Sequence, residues 1–255
     1  MRKEKVVVSI VMPYYKKKKY LQKTLNSIRN QSYKKYELII IYDDENKNDL
    51  RFIKKQIKKN KKIKLIINKK NIGAGFSRNK GISYSKGSYI AFLDSDDSWK
   101  KNKLSYQLNY MKKNDLDFTH TNYFLVNEKF KIYGNMIAKK EINYDDLMKS
   151  CDIGMSTVIA KKKLFLNKKF PNIKTKEDYV LWLKLSRLNT KIHGINKNLA
   201  YWCKSKNSLS SSLNQKLLDS FSVYFTYEKK NIIYAIFCVL RLSVYAIFKK
   251  INSTY

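Results

Sequence analysis

Apolar residues along the chain gather into short unbroken runs, and between the runs they recur every three or four positions. Residues 6–12 are almost wholly apolar and stop at Pro13. A run of that length without alternation is what a strand buried on both faces of a parallel sheet looks like. Residues 20–29 carry Leu21, Leu25 and Ile28 at helical spacing. A second buried strand is predicted over 37–42, ending at Asp43 and Asp44. A polar helix follows, then a strand over 63–67, a helix over 75–85 closed near Gly87, and a strand over 88–93 that runs into Asp94, Ser95, Asp96 and Asp97. The first hundred residues therefore read β-α-β-α-β-α-β, which implies a parallel sheet with helices on both faces and a ligand site at the carboxyl ends of its strands.

The second half is less regular. Helices are expected over 104–111, 145–149 and 177–188, and extended segments over 118–126, 157–160 and 199–202. No repeat or Pro- or Gly-rich linker interrupts the chain, and its one shift of composition comes near residue 215. Residues 231–248 are nearly all apolar, with Tyr234, Cys238, Arg241 and Tyr245 on one narrow helical face. Eighteen helical residues reach about 27 Å, just short of a bilayer core, and a central arginine there is costly. The pattern favours a helix lying in the plane of a membrane surface with Arg241 toward the headgroups. Docking on the core and a true span are the alternatives. The division expected is 1–215 for the folded domain and 216–255 for an amphipathic, membrane-associating segment.

Composition sharpens this picture in three ways. The chain has 255 residues, 44% of them hydrophobic, enough for one α/β domain with a packed core. Lys and Arg number 54 against 20 Asp and Glu, a formal charge of +34. That field attracts polyanions, but arginine stands only at positions 2, 29, 51, 78, 187 and 241. Readers of DNA sequence rely on the bidentate arginine fork, so scattered lysine points to solvated faces and a compositional bias, with attraction to an anionic membrane surface as a compatible second effect. No specific nucleic-acid partner is expected. Cys151, Cys203 and Cys238 have neither CxxC nor metal-ligand spacing, and three thiols fit a reducing compartment. The N-terminus lacks the apolar stretch of a secretion signal. The expected location is cytoplasmic, peripheral to the inner face of the cell membrane.

Three clusters carry candidate chemistry. Asp94 and Asp96, two apart in extended backbone, point the same way and can converge on a hard cation such as Mg2+ or Mn2+. The same four residues also suit a turn capping the next helix. Asp178 shares a helical stripe with Leu181, Trp182 and Leu185, with Glu177 off the stripe; it is either a helix cap or a general base at the floor of a cleft. Residues 71–79 place Gly73 and Gly75 before a helix, with Arg78 on its first turns, a spacing that permits close approach to a ligand but matches neither a dinucleotide fingerprint nor a P-loop.

Taken together and in order, Val8-Ser9-Ile10-Val11-Met12-Pro13-Tyr14-Tyr15, Leu25-Asn26-Ser27-Ile28, Asn30-Gln31-Ser32-Tyr33, Tyr36-Glu37-Leu38-Ile39-Ile40 before Asp43-Asp44, the 71–81 block, Tyr89-Ile90-Ala91-Phe92-Leu93-Asp94-Ser95-Asp96-Asp97 and Glu177-Asp178-Tyr179-Val180-Leu181-Trp182-Leu183 resemble family-two glycosyltransferases over about residues 6–205. The resemblance implies a GT-A fold, a Rossmann-like and mostly parallel central sheet flanked by helices, here followed by C-terminal amphipathic helices. It also implies inverting, metal-dependent transfer from a nucleotide sugar, with a UDP-sugar as the default donor and a glycan or lipid-linked acceptor in surface polysaccharide, lipo-oligosaccharide or glycoprotein glycan assembly. On the matching positions Asp43 would bind uracil or ribose, Pro13 and Tyr15 would line the nucleotide pocket, and Arg78 would reach the base or phosphates. Asp94 would sit near the ribose and the metal, Asp96 would hold Mn2+ or Mg2+, and Asp178 would be the catalytic base. Three positions depart from the family pattern. Lys16 stands where asparagine is usual, and Glu45-Asn46 replace Gly-Ser. Tyr201-Trp202-Cys203-Lys204 lacks the later histidine, which leaves Lys204 as a substitute phosphate contact, with Ser208 and Ser210 retained. The competing expectation is a basic nucleic-acid- or membrane-binding protein on an inactive transferase scaffold.

Overall fold

The computed structural model describes residues 6–252 except Lys59 and residues 206–211, and for residues 247–252 the backbone alone. Four strands form the predicted parallel half: β1 (Val8–Tyr14), β2 (Tyr36–Tyr42), β3 (Ile63–Ile67) and β4 (Tyr89–Phe92). They lie in the order β3-β2-β1-β4. Alternate side chains of β1 serve opposite layers. Val8, Ile10 and Met12 pack with Leu21, Leu25 and Ile28 of α1 (Lys18–Arg29), Ile53 of α2 (Leu50–Ile57) and Leu104, Leu108 and Met111 of α4 (Lys103–Lys113). Val11 turns the other way, toward Ile82 of α3 (Gly73–Ser83), Leu147 of α5 (Tyr144–Lys149) and Leu181 and Trp182 of α6 (Glu177–Arg187). This two-sided burial is the reason the strands read as continuous apolar runs.

The second half of the sheet departs from the expectation of a mostly parallel array. Beyond β4 come β9 (Ile159–Lys161), β6 (Phe118–Val126), β10 (Ile192–Cys203) and β5 (Ser98–Trp99). β9 is antiparallel to both β4 and β6, whereas β6 and β10 are parallel. Two short strands, β7 (Ile132–Met136) on β6 and β8 (Glu141–Ile142) on β10, complete it. β10 is longer than the expected 199–202 segment, because its register shifts between Ile195 and Asn198 and again before Ala200. Those irregularities accommodate Asn196, Lys197 and Asn198 within a strand and hide its start from the hydrophobic pattern.

The C-terminal segment forms α7 (Leu213–Ser222), a π-turn at Val223–Tyr227 and α8 (Ile232–Asn252). No helix among the described residues is long and apolar enough to cross a membrane. The expected orientation of α8 is reversed. Most of its polar stripe turns to the protein: Cys238 is fully buried, Arg241 donates to the Met148 carbonyl at 2.6 Å, and Tyr245 donates to Asp152 at 3.0 Å, while Tyr234 stays exposed. Periodicity distinguishes two faces of a helix, but here carbonyl and carboxylate acceptors on the core satisfy the polar one. The apolar face is left outward, with Ile233 79% and Leu240 61% exposed. Ala235 and Cys238, with Val223 and Tyr224, join the same core cluster as α6.

At the end of β1 the chain turns through Lys16, whose φ is +51°. That left-handed conformation crowds the Cβ of a lysine, and asparagine tolerates it better. Lys16→Asn is therefore expected to stabilise the fold by up to about 1 kcal/mol, read as a rightward shift of the urea midpoint; a leftward shift would show that the lysine side chain makes a compensating contact.

Candidate active site

The carboxyl ends of β1, β2 and β4 open into a cleft of about 700 Å³. Pro13, Tyr15, Asp43, Arg78, Asp94, Asp96 and Asp178 all line it, so residues far apart in the chain converge as the sequence suggests. Lys204 does not reach it: its side chain is exposed, and its backbone N–H donates to Val126 at 2.9 Å. Among the described residues, Lys17, Lys174, Lys176 and Lys216 are the lysines that do. Ser208 and Ser210 lie outside the described residues.

Each wall has an identifiable support. Asp43, nearly buried, accepts hydrogen bonds from the backbone N–H groups of Ile72 and Gly73, both at 2.9 Å, and from the Asn68 amide at 2.7 Å. It thereby fixes the turn into α3, where Gly73 has a φ of +82° that glycine adopts without strain. Gly75 serves a close approach of a different kind from the one its spacing suggests. A Cβ there would stand 3.1 Å from Glu177 and from the Pro171 carbonyl, so the missing side chain lets α3 meet α6.

Arg78 ties the two halves together. Only 4% exposed, it donates through Nη2 to Asp94 at 2.7 Å and through Nη1 to Glu177. Burial works against its charge, but Asp94 and then Glu177 more than offset this and hold it cationic. Glu177, off the apolar stripe in sequence, is the more enclosed of the acidic pair. Burial raises its proton affinity, against the pull of Arg78 and with a push from Asp178. Asp178 is also raised by burial, opposed by Arg78, by the Tyr179 N–H that it accepts at 2.8 Å, and by Lys176. Asp178 makes no ion pair among the described residues, so one carboxylate facing the cleft is left for chemistry.

The loop after β4 is built on Asp97. Its Oδ1 accepts from the Cys203 N–H at 2.8 Å and its Oδ2 from the Ser156 hydroxyl at 2.5 Å, while Ser156 Oγ accepts from the Asp94 N–H at 3.0 Å. Thr24 of α1 donates to the carbonyls of Asp97 and Ser95. Burial, then repulsion from Asp96 and Asp94, raises the proton affinity of Asp97 well above the ordinary range. With Asp97 turned inward, Asp96 faces the cleft. Its Oδ2 accepts from the Lys17 ammonium and the Ser205 hydroxyl, each at 2.9 Å.

Residues 9–173 match the sequence pattern described as glycosyl transferase family 2. The chain belongs to that family. It is 32% identical over 249 residues to a Bacillus subtilis (strain 168) protein provisionally named teichuronic acid biosynthesis glycosyltransferase TuaG, covering 97% of this chain and 98% of that protein. To Escherichia coli WfgD, named UDP-Glc:alpha-D-GlcNAc-diphosphoundecaprenol beta-1,3-glucosyltransferase, it is 36% identical over 215 residues, covering 83% and 82%. Among solved structures, S. aureus TarS 1-349 in complex with UDP-GlcNAc superposes with a TM-score of 0.68 at 18% identity, covering 92% of this chain and 70% of that one. The mannosyltransferase PcManGT from Pyrobaculum calidifontis, in complex with GDP-Man and Mn2+, gives 0.67 at 11%, covering 91% and 69%. At those identities the likeness is one of fold, and the fold is the GT-A arrangement that the sequence implies.

The cleft also rests on Ser156, which no local pattern singles out, and on Glu177, which the sequence sets beside Asp178 but gives no partner. Ser156 and Glu177 act through partners 59 and 99 residues away, and only the tertiary structure brings them to the loop and to Arg78. Ser156→Ala would strip the Asp94 N–H and the Asp97 carboxylate of a shared partner inside the protein. The expected cost is about 1–3 kcal/mol, measured by denaturant unfolding, and an unchanged midpoint would show that the loop does not depend on this bridge.

Proposed function

We propose that this glycosyltransferase moves a sugar from a nucleotide-diphosphate sugar, with UDP as the preferred nucleotide, to a glycan or lipid-linked acceptor of surface-glycan assembly, inverting the anomeric centre in one displacement. The carrying observation is that one cleft pairs Asp94 and Asp96 of the loop at residues 94–97 with Asp178, a carboxylate outside any ion pair among the described residues. Support for the donor and acceptor classes comes from relatives named for UDP-glucose and a diphosphoundecaprenol-linked GlcNAc, and from solved neighbours holding UDP or UDP-GlcNAc. The family assignment and the acidic cleft disfavour the scaffold reading, since clustered carboxylates repel a polyanion unless a cation intervenes.

In this reading Pro13 and Tyr15 border the nucleotide. Asp43 reaches the base or ribose from its place beneath the Gly73 turn, and Asp94 stands by the ribose with Arg78 neutralising it. Asp178 takes the proton from the acceptor hydroxyl as that oxygen attacks the anomeric carbon, and the bond to the diphosphate breaks on the opposite face. Asp96, with Asp94, would hold Mn2+ or Mg2+. The fit is reasonable: Asp96 already binds one cation, the Lys17 ammonium, and these metals take one or two carboxylates plus phosphate and water oxygens. No cluster of three acidic, His or Cys ligands is therefore required, and none is found among the described residues. Such an ion would supply positive charge to the departing diphosphate.

The outward apolar face of α8 and the +34 charge support peripheral work at an anionic membrane surface, which we propose is the cytoplasmic one. A helix displaying that face has an apolar side to bury at the headgroup boundary.

Asp178→Asn is expected to keep donor binding within about twofold by calorimetry while turnover falls by about 10²–10⁴. Transfer at the wild-type rate would remove Asp178 from the role of base. The base acts deprotonated, and burial raises its proton affinity. The protonated, inactive form therefore persists to higher pH than for an ordinary aspartate near about 3.9, and kcat should begin to fall on the acid side above that value.

A further inference from the structure

Three lysines that line the cleft, Lys174, Lys176 and Lys216, touch no reacting group in the mechanism above, although the charge of Lys176 lowers the proton affinity of Asp178. Lys174 and Lys176 flank Thr175 in the loop entering α6, and Lys216 lies on α7. Asp219 brings them together. Its Oδ2 accepts from both the backbone N–H and the hydroxyl of Thr175, each at 2.7 Å, and its Oδ1 accepts from the Gln215 amide at 2.9 Å. Asp219 stands three residues after Lys216, on the same helical face. The clamp that holds α7 against the loop therefore also delivers Lys216 to the cleft.

All three lysines line the cleft, and none makes an ion pair among the described residues. Asp219, the acid on the Lys216 face of α7, is spent on Thr175 and Gln215, and Asp178 is the cleft acid that feels the charge of Lys176. Lys216 is held less basic than usual, by burial first and then by the charge of Lys176, as expected of two ammonium groups kept close together. An anion in that space would relieve both costs. The loops after β1, β2 and β4 form the donor half of the cleft, where Lys17 already stands beside Asp96. The lysine cluster comes instead from the α6 entry and α7, on the side of the base.

We propose that Lys174, Lys176 and Lys216 form a subsite for a diphosphate group, and that its occupant is the diphosphate of a lipid-linked acceptor rather than that of the donor. This rests on the transferase reading of Asp178 and deepens it. Two ionised phosphates match a cluster of three lysine charges. The geometry of α7 suits the rest of such a molecule: the helix gives Lys216 to the cleft while Leu213, Leu217 and Leu218 are exposed, beside the outward face of α8. A lipid leaving the subsite would meet apolar surface at once.

The test titrates a short-chain alkyl diphosphate into the full chain held saturated with UDP, by calorimetry, for wild type, Lys176→Gln and Lys216→Gln, with circular dichroism to show that each variant is folded. Wild type should bind the alkyl diphosphate with UDP present, and each substitution should weaken that binding about tenfold while UDP affinity stays unchanged. Unaltered alkyl diphosphate affinity in both variants would overturn the subsite. Competition between the alkyl diphosphate and UDP, with UDP binding weakened by the same substitutions, would assign the lysines to the donor and overturn the acceptor assignment. Failure of the transferase reading shows separately, as wild-type protein that binds no nucleotide sugar.

Discussion

The buried guanidinium of Arg78 is the interaction on which the cleft depends. It comes from α3 in the parallel half of the sheet, and it holds Asp94 at the end of β4 and Glu177 at the start of α6. Without it three carboxylates, counting Asp178, would face one another in a partly dehydrated space, and at least one would take up a proton. Burying such a pair yields little net stability, but removing one partner leaves the others uncompensated, at a cost of about 3–5 kcal/mol. Arg78 is therefore best understood as a positioning group. Its charge sets where the acids stand and how readily Asp178 gives up its proton.

The packing around that pair follows from small choices in sequence. Gly75 lets α3 approach Glu177, Asp43 fixes the turn before it, and Asp97 turns inward so that Asp96 can turn out. A chain carrying +34 thus concentrates acids at the ends of its parallel strands and leaves lysines along the rim. In the proposed reading a nucleotide diphosphate would meet both the acids and the lysines that line this cleft.

How much of this was legible in the sequence depended on the kind of burial. β1, β2 and β4 are covered on both faces, so each appears as an apolar run, and the acids beyond β2 and β4 line the cleft. β5 and β8 are two residues long, too short for any period to show, and β10 conceals Asn196, Lys197 and Asn198 at its register shifts. α8 was visible as an amphipathic helix, but its inward side was not, because Arg241 and Tyr245 find acceptors on Met148 and Asp152 that only the folded chain supplies. In the cleft, family resemblance located Asp43, Asp94, Asp96 and Asp178. The supports of those residues, Ser156 and Glu177 among them, depend on contacts across many tens of residues. Lys204 was placed by position in a motif, and the path of β10 carries its side chain to solvent instead.

The central claim is that the acidic cleft is a donor site, and calorimetric titration of UDP-, GDP-, CMP- and dTDP-sugars into the full chain, with and without manganese, tests it most directly. The account predicts saturable binding of UDP-sugars, strengthened by manganese, with the other nucleotides weaker. Folded protein that binds none of the four, with or without the metal, would contradict it.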